Sequence, residues 1–396
     1  MNPGPCPACD ARNVEPAAEN RAHIVNTGPR VFESRIVNVL CRDCGLIYND
    51  PMPTDAELAE LYGAMARDLT GPAAVPRIMP IEREQAAYVT PALQGRTTPR
   101  VLDVGCSMGG FLAALAESGA SVLGVEPSPH DAAVARTRFG LEVREGFFEE
   151  VPLDEATFDL VTLRFVFEHV REPRAILRRV RALLAPGGRV YLEVPNLATP
   201  FVGLDDFFSY GHLQTFTPES LAYLCAREGF RVERMDGCAN AFESSPHPPS
   251  VRAVLSMSDL AEAPRPPVAA VRQHLSAYTS ARNALVRRVS SALQQAMTGR
   301  TRVVVYGAGT HTAELWHACP FLQGRVTAMV DANARLQGHA FLGTPVHAPR
   351  ELGGLNPDLI VISVRTAERQ IAEYLTANGF GPVMLRLYEG AGAAAA

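Results

Sequence analysis

No apolar run in this chain of 396 residues approaches the roughly 18 residues that would cross a bilayer, so a membrane-spanning helix is not expected. Net positive charge is also lacking. With 37 basic and 42 acidic residues the formal charge is -5, which gives no reason to expect a nucleic-acid or anionic-membrane surface. The first residues, Met1-Asn-Pro-Gly-Pro-Cys6, have neither a basic nor an apolar stretch of the kind that opens a secretory signal. A cytoplasmic location is therefore expected. Cysteine is sparse, with eight in all. In a long chain without a secretory signal, thiols belong to metal sites or cores rather than to disulfides. What the chain does have is length enough for two or three domains and a 47% hydrophobic composition to fill their cores.

Four of the eight cysteines form two pairs, Cys6-Pro-Ala-Cys9 and Cys41-Arg-Asp-Cys44, with 31 residues between them. A C-x-x-C turn wraps two sulfurs and its backbone amides around one ion. Two such turns complete a tetrahedral thiolate shell suited to structural Zn²⁺, with no open position for catalysis. Arg35–Leu40 reads as a strand leading into the second turn. Residues 1–50 are thus expected to be a four-cysteine zinc-binding module that relies on its metal to fold. Residues 51–98 read as a helical lead-in. Thr54 and Glu57 fit a capping box there, Gly71–Pro76 interrupts it, and a second helix runs from about Ile81 to Tyr88. Tyr62 is a candidate to face a substrate from this lid.

Residues 99–237 alternate strand and helix, as a mostly parallel sheet covered on both faces requires. The strands are expected at 100–104, 121–125, 141–144, 158–163, 189–194 and, as a late edge, 230–235. Helices fall at about 109–118, 129–138 and 172–184. The first strand enters the turn Asp103-Val-Gly105-Cys106-Ser107-Met-Gly109-Gly110, and the second ends on Glu126, 21 residues after Gly105. The acid at Asp103 separates the possible cofactors. It would repel a dinucleotide's pyrophosphate but can hold the cationic amino-acid part of S-adenosylmethionine. Gly105 allows close backbone approach, and Glu126 is placed to accept two ribose hydroxyls. No lysine stands where a phosphate-binding loop would need one.

This run resembles motif I of the class I S-adenosylmethionine-dependent methyltransferases, with Ser107 where many members carry a second glycine. Phe158–Val170 resembles the family's fourth strand and following turn, and Pro186–Val194 its fifth strand. The resemblance implies cofactor contacts from Cys106, Gly109 and Pro127 beside those already named. It also implies that Arg164 and Phe165 lie beside the methionine moiety and that Phe147 or Phe148, with Phe148 preferred, flanks the adenine. Glu168-His169-Val170 is expected to begin a helix and to pack locally.

Candidate chemistry lies after the fifth strand, at Phe207–Ser220, where the parallel strands present their carboxyl ends. Thr217 caps a helix whose first residue is Pro218. His212 sits in the approach to it and can take a proton near neutral pH.

Residues 238–300 read as a Pro-rich connector and a bridging helix, with Val271, Leu275, Tyr278, Leu285 and Val289 at helical spacing. Residues 301–390 repeat strand, glycine turn (Gly307, Gly309) and helix. A second strand ends on Asp331, as in a small Rossmann-like half, and 391–396 reads as a disordered tail. A nucleotide site at this second turn and a degenerate fold used for docking both fit the pattern.

The fold class expected is therefore α/β, with an N-terminal zinc-binding module, a class I methyltransferase Rossmann-like core and a C-terminal Rossmann-like half. In that order the parts resemble the sugar C-methyltransferases, which act on a nucleotide-linked 4-keto-deoxysugar. The resemblance implies an enolate formed with His212 as base. In that family a Glu precedes this His, and here the position is Gly211. The alternatives are O- or N-methylation of another small metabolite, an oxidoreductase built on the C-terminal turn, and a non-catalytic zinc scaffold that binds the cofactor. The expected partner is a small-molecule acceptor, with a nucleotide sugar among the candidates, and the chain is read as a monomer or homodimer.

Overall fold

The structure, a computed structural model, describes residues 4–18, 21–64, 75–199, 203–204, 208–238, 249–259 and 268–388. The N-terminal part contributes five short strands, β1 (Val14–Pro16), β2 (Arg21–Asn26), β3 (Val31–Ile36), β4 (Asn38–Cys41) and β5 (Ile47–Asn49). The strand expected at 35–40 is thus two strands that part at Val37. The first of them pairs with β2 as a separate two-stranded ribbon. Helix α1 (Asp55–Ala64) starts at the expected capping box, in which Thr54 N–H donates to Glu57 Oε2 at 2.8 Å. Helix α2 (Val75–Val89) begins six residues earlier than expected and carries Pro80 inside it. Most of the Gly71–Pro76 breaker lies outside the described residues.

The central unit runs β6 (Arg100–Val104), α3 (Gly110–Glu117), β7 (Ser121–Glu126), α4 (Pro129–Phe139), β8 (Val143–Glu145), β9 (Phe158–Arg164), α5 (Pro173–Leu183), β10 (Leu184–Pro195), β11 (Gln214–Thr215), α6 (Pro218–Arg227), β12 (Phe230–Cys238) and β13 (Ser250–Met257). Seven strands form one sheet in the order β12-β13-β10-β9-β6-β7-β8. The five from β10 to β8 are parallel, and β13 runs antiparallel to both its neighbours. Apolar residues of β6 and β9 are buried because α3 and α5 lie on opposite faces of the sheet's core clusters. Strand β13 corrects the sequence reading, which placed residues 250–257 in the connector. It adds an antiparallel strand that interlocks with β10 over seven register pairs, so the core sheet extends to Met257. The Pro-rich runs flanking it lie outside the described residues save for Pro249.

Strand β11 leaves that sheet. It pairs with β5, giving the N-terminal sheet the order β1-β4-β5-β11. Cys6, Ala8, Val39, Leu46 and Tyr48 accordingly share one apolar cluster with Phe167, Ile176, Leu177 and Phe216 of the central unit. The module's small core is continuous with that of its neighbour, which supplies apolar burial it could not provide alone.

Helix α7 (Val268–Ala296) is a single bridge, with Val271, Tyr278, Leu285 and Val289 buried along its stripe as expected. The C-terminal half follows with β14 (Val303–Tyr306), α8 (Thr310–Ala318), β15 (Val326–Val330), β16 (Ala340–Phe341), β17 (Thr344–His347), α9 (Leu352–Leu355), β18 (Leu359–Ile362), α10 (Glu368–Ala377) and β19 (Met384–Arg386). Its sheet order is β16-β17-β15-β14-β18-β19, parallel except at the β16 edge. The tail from Gly390 lies outside the described residues.

Candidate active site

The glycine turn after β6 is held by its own backbone. Gly105 and Cys106 N–H groups both donate to the Val125 carbonyl, at 2.8 and 3.2 Å. Gly105 has φ +69, and a Cβ there would stand 2.4 Å from Val166 Cγ2. The turn therefore presses against the segment that follows β9, and only glycine fits. Gly109 is fixed for another reason. With φ +81, its Cβ would meet Leu141 Cδ1 at 2.6 Å and Ala135 Cβ at 2.9 Å, so this glycine lets α3 pack on α4. Ser107, in the place of the second glycine, has φ +48, the left-handed conformation that glycine adopts without strain.

Two acids flank the turn. Asp103 is 3% exposed and accepts the Thr162 hydroxyl at 2.6 Å. Burial pushes its pKa up to about 7, against the pull of the Arg164 charge. Such a carboxylate gains from a cationic ligand. Glu126 is also buried, and its two oxygens accept Ser107 N–H at 2.9 Å and Ser128 N–H at 2.7 Å. Pro127, next to it, is exposed at the mouth of the turn.

Three of the expected cofactor contacts sit differently from the sequence reading. The Cys106 thiol packs with Leu112, Ala132 and Val143 in a core cluster, so this residue offers the site only backbone. Phe148 is 5% exposed with the Arg179 guanidinium 5.1 Å from its ring, a core position. Phe147 is instead 56% exposed, and Gly146 before it donates to the Glu126 carbonyl at 3.1 Å. The bare ring beside the second acid is therefore Phe147. The Arg164 side chain is drawn to α2, pairing with Glu82 at 2.9 Å, bonding Gln85 and lying 4.1 Å over Phe111. Phe165 turns at φ +51 and donates its N–H to the Glu193 carbonyl at 2.8 Å.

Beyond Val166 the chain makes a single 3₁₀ turn, Phe167–His169, rather than the start of a helix. His169 Nδ1 lies 2.7 Å from the Gly211 carbonyl and its Nε2 3.7 Å from Glu168 Oε1. Its ring centroid is 5.0 Å from that of His212, edge to face. Glu168, His169 and His212 each bring one atom within 4.8 Å of the others. Burial raises the Glu168 pKa to about 8. Burial, followed by the nearby His212, lowers that of His169 to about 3. The sequence reading assigned Glu168 and His169 a packing role; Glu168 is 1% exposed, and the fold also brings the pair beside His212 across 43 positions. An acid–histidine pair at the carboxyl end of a strand adjoining the glycine turn was the available signal. The Tyr62 side chain lies outside the described residues.

His212 is held in place by the cysteine module. Asn49 N–H donates to the Leu213 carbonyl at 3.0 Å, and Gln214 and Thr215 pair with Tyr48 and Ile47. In the module, Cys6 and Cys44 sulfurs are 3.5 Å apart, as are those of Cys9 and Cys41, and all four fall within 4.8 Å of one another. Tetrahedral Zn²⁺ with bonds of about 2.3 Å separates its sulfurs by about 3.8 Å, so the four thiols fit that ion.

Beside the second glycine turn, side chains of α8 bond residues that follow β18 and β19. His311 meets Ser363 Oγ at 2.9 Å and the Tyr388 hydroxyl, while Thr312 bonds Ser363 at 2.8 Å. Asn26 of β2 donates to the Ala308 carbonyl at 2.8 Å, and Leu204 N–H donates to Tyr388 at 3.1 Å. The C-terminal half thus docks on the ribbon and on the segment after β10. No helix among the described residues is long and apolar enough to cross a membrane.

Residues 78–234 match the family model described as a methyltransferase domain. A ubiquinone biosynthesis O-methyltransferase from Bordetella avium is 34% identical over 125 residues, 30% of this chain and 51% of that protein. A demethylmenaquinone methyltransferase from Chlorobaculum tepidum is 32% identical over 107 residues, 26% of this chain and 44% of that protein. The chain thus spans about half the length of these curated relatives. Among solved structures, a 1,6-didemethyltoxoflavin-N1-methyltransferase from Burkholderia thailandensis aligns with a TM-score of 0.42 and 20% identity, covering 55% of this chain and 98% of that one. The conclusion from the matched family and the acid-flanked glycine turn is that residues 78–234 are a class I S-adenosylmethionine-dependent methyltransferase domain.

Proposed function

We propose that this chain methylates a small-molecule acceptor bound against Glu168, His169 and His212. The observation that carries the reading is the contact of Gly105 with Val166, which sets the donor turn beside the segment bearing Glu168 and His169. Asp103 holds the cofactor's ammonium, Glu126 its ribose hydroxyls, and the Phe147 face its adenine. The acceptor loses a proton at the Glu168–His169–His212 cluster, with His212 as the base. The resulting nucleophile attacks the sulfonium methyl in line, the S–CH₃ bond breaks, and S-adenosylhomocysteine leaves. Positioning and proton handling are the protein's share.

The acceptor we favour is a nucleotide-linked 4-keto-deoxysugar methylated at carbon, since the three-part architecture resembles the enzymes that do this. A second reading, methylation at oxygen, is supported by the quinone O-methyltransferases among the relatives and by Gly211. Structural Zn²⁺ on Cys6, Cys9, Cys41 and Cys44 belongs to both readings. Labelled S-adenosylmethionine incubated with a keto-deoxysugar nucleotide and with a panel of phenolic acceptors decides between them. Label transferred to carbon of the sugar supports the first, label on a phenolic oxygen supports the second, and cofactor binding without transfer to any acceptor removes both.

A further inference from the structure

We propose that Glu168, His169 and His212 form a site for one divalent transition-metal cation, separate from the four-cysteine cluster, which grips an oxygen of the acceptor. The inference rests on the reading of this face as the acceptor site.

Three observations carry it. First, two imidazoles and one carboxylate from two separate segments each offer a ligand atom, all within 4.8 Å of one another. Bonds of about 2.1 Å to a common ion put such donors about 3.0–3.4 Å apart, so the three would close inward by at most about 1.8 Å on binding. Second, Glu168 is 1% exposed and its Oε2 is buried without a hydrogen-bond partner. Its nearest ionisable contact among the described residues is the His169 imidazole, 3.7 Å from Oε1. The chain contains no lysine, all 37 of its basic residues being arginine, and no arginine among the described residues pairs with this acid. A buried carboxyl oxygen without a partner is unfavourable, and a bound cation would satisfy it. Third, the Gly211 carbonyl can only accept, so His169 Nδ1, 2.7 Å away, carries the proton. That fixes the tautomer and leaves the Nε2 lone pair facing Glu168, as a backbone carbonyl does for metal-binding histidines.

The ligand set also says which ion and which acceptor. Two imidazoles and one carboxylate on one side of an ion suit Mn²⁺, Fe²⁺, Co²⁺ or Zn²⁺ and leave coordination positions open, whereas four thiolates close the shell of Zn²⁺. An acceptor with a keto-enol or vicinal pair of oxygens would fill open positions. Binding would acidify the proton to be lost, the O–H of a phenol or the C–H beside a ketone, and with the three side chains engaged on the cation that proton would leave to solvent, giving phenolate or enolate.

The test uses the full chain with its cysteine site zinc-loaded. Mn²⁺ is added and the free-ion electron paramagnetic resonance signal is followed, since Mn²⁺ binds thiolates too weakly to displace Zn²⁺. One Mn²⁺ per chain should bind, and E168Q, H169A and H212N should each weaken that binding at least about tenfold. Zinc content and S-adenosylmethionine affinity should stay unchanged in those variants, showing that they are folded. No saturable Mn²⁺ binding to the wild type, or equal binding in all three variants, overturns the site. Methyl transfer that proceeds without Mn²⁺ binding overturns the metal site alone. Failure to bind S-adenosylmethionine overturns the functional reading whatever Mn²⁺ does.

Discussion

Replacing Cys41 by serine should lower methyl transfer far more than it lowers cofactor binding. Cys41 is a buried member of the sulfur cluster and also the last residue of β4, whose partner β5 carries the segment that fixes His212. Without the ion, this part of the module has little to keep β5 in register. Three kinds of contact then fail together. These are the Asn49 N–H bond to the Leu213 carbonyl at 3.0 Å, the Asn49 side-chain bond to the Tyr210 carbonyl at 3.5 Å, and the β5–β11 pairing. At about 1 kcal/mol for each of three hydrogen bonds, the ordered loop loses about 3 kcal/mol. With about 1.4 kcal/mol per factor of ten, kcat/KM should fall about 100-fold. The cofactor turn draws its contacts from β6, β7 and the Val166 segment, so S-adenosylmethionine affinity should change by less than about threefold, under 1 kcal/mol. Zinc content by mass spectrometry, calorimetric cofactor binding and steady-state transfer form the assay. Loss of zinc with unchanged transfer would refute the claim that the module holds the acceptor loop.

Four further outcomes follow from particular residues. Asp103 is a carboxyl raised to about 7, so its neutral form dominates at lower pH and the cofactor's ammonium loses its partner. Cofactor affinity should drop about 25-fold between pH 7.5 and 5.5, and D103N should be weak and insensitive to pH, which calorimetry at several pH values checks. G109A should lower stability by about 2–3 kcal/mol in chemical denaturation, because the added Cβ meets Leu141 and Ala135 under 3.0 Å at a positive φ. S107G should raise stability by about 1 kcal/mol by relieving the left-handed serine. F147A should weaken cofactor binding by about tenfold, some 1.4 kcal/mol, with melting unchanged, since the ring is already exposed.

The donor half of the site was legible because it is local. An acid, a glycine turn and a second acid at a strand end sit within 24 positions, Asp103 to Glu126, and the central strands β6, β7 and β9 are largely apolar, buried runs. The N-terminal sheet was less legible. Its fourth strand, β11, is two residues long and comes from a segment 165 positions after Asn49, so no periodicity could announce it. Strand β13 was hidden between two Pro-rich stretches that read as a connector. Glu168 and His169 are a further case of the same limit. In sequence they form a common-looking strand-to-helix turn, and their nearness to His212 depends on the tertiary path of the chain after β10. Phe147 and Phe148 could not be ranked by type, because alternation puts one inside and one outside and only the packing of Arg179 on Phe148 says which.

The most direct test of the central claim compares the wild-type chain with H212N for transfer of labelled methyl from S-adenosylmethionine to an acceptor, with cofactor binding measured on the same samples. The account expects equal cofactor affinity in both and transfer by the wild type only. Undiminished transfer by H212N would contradict it.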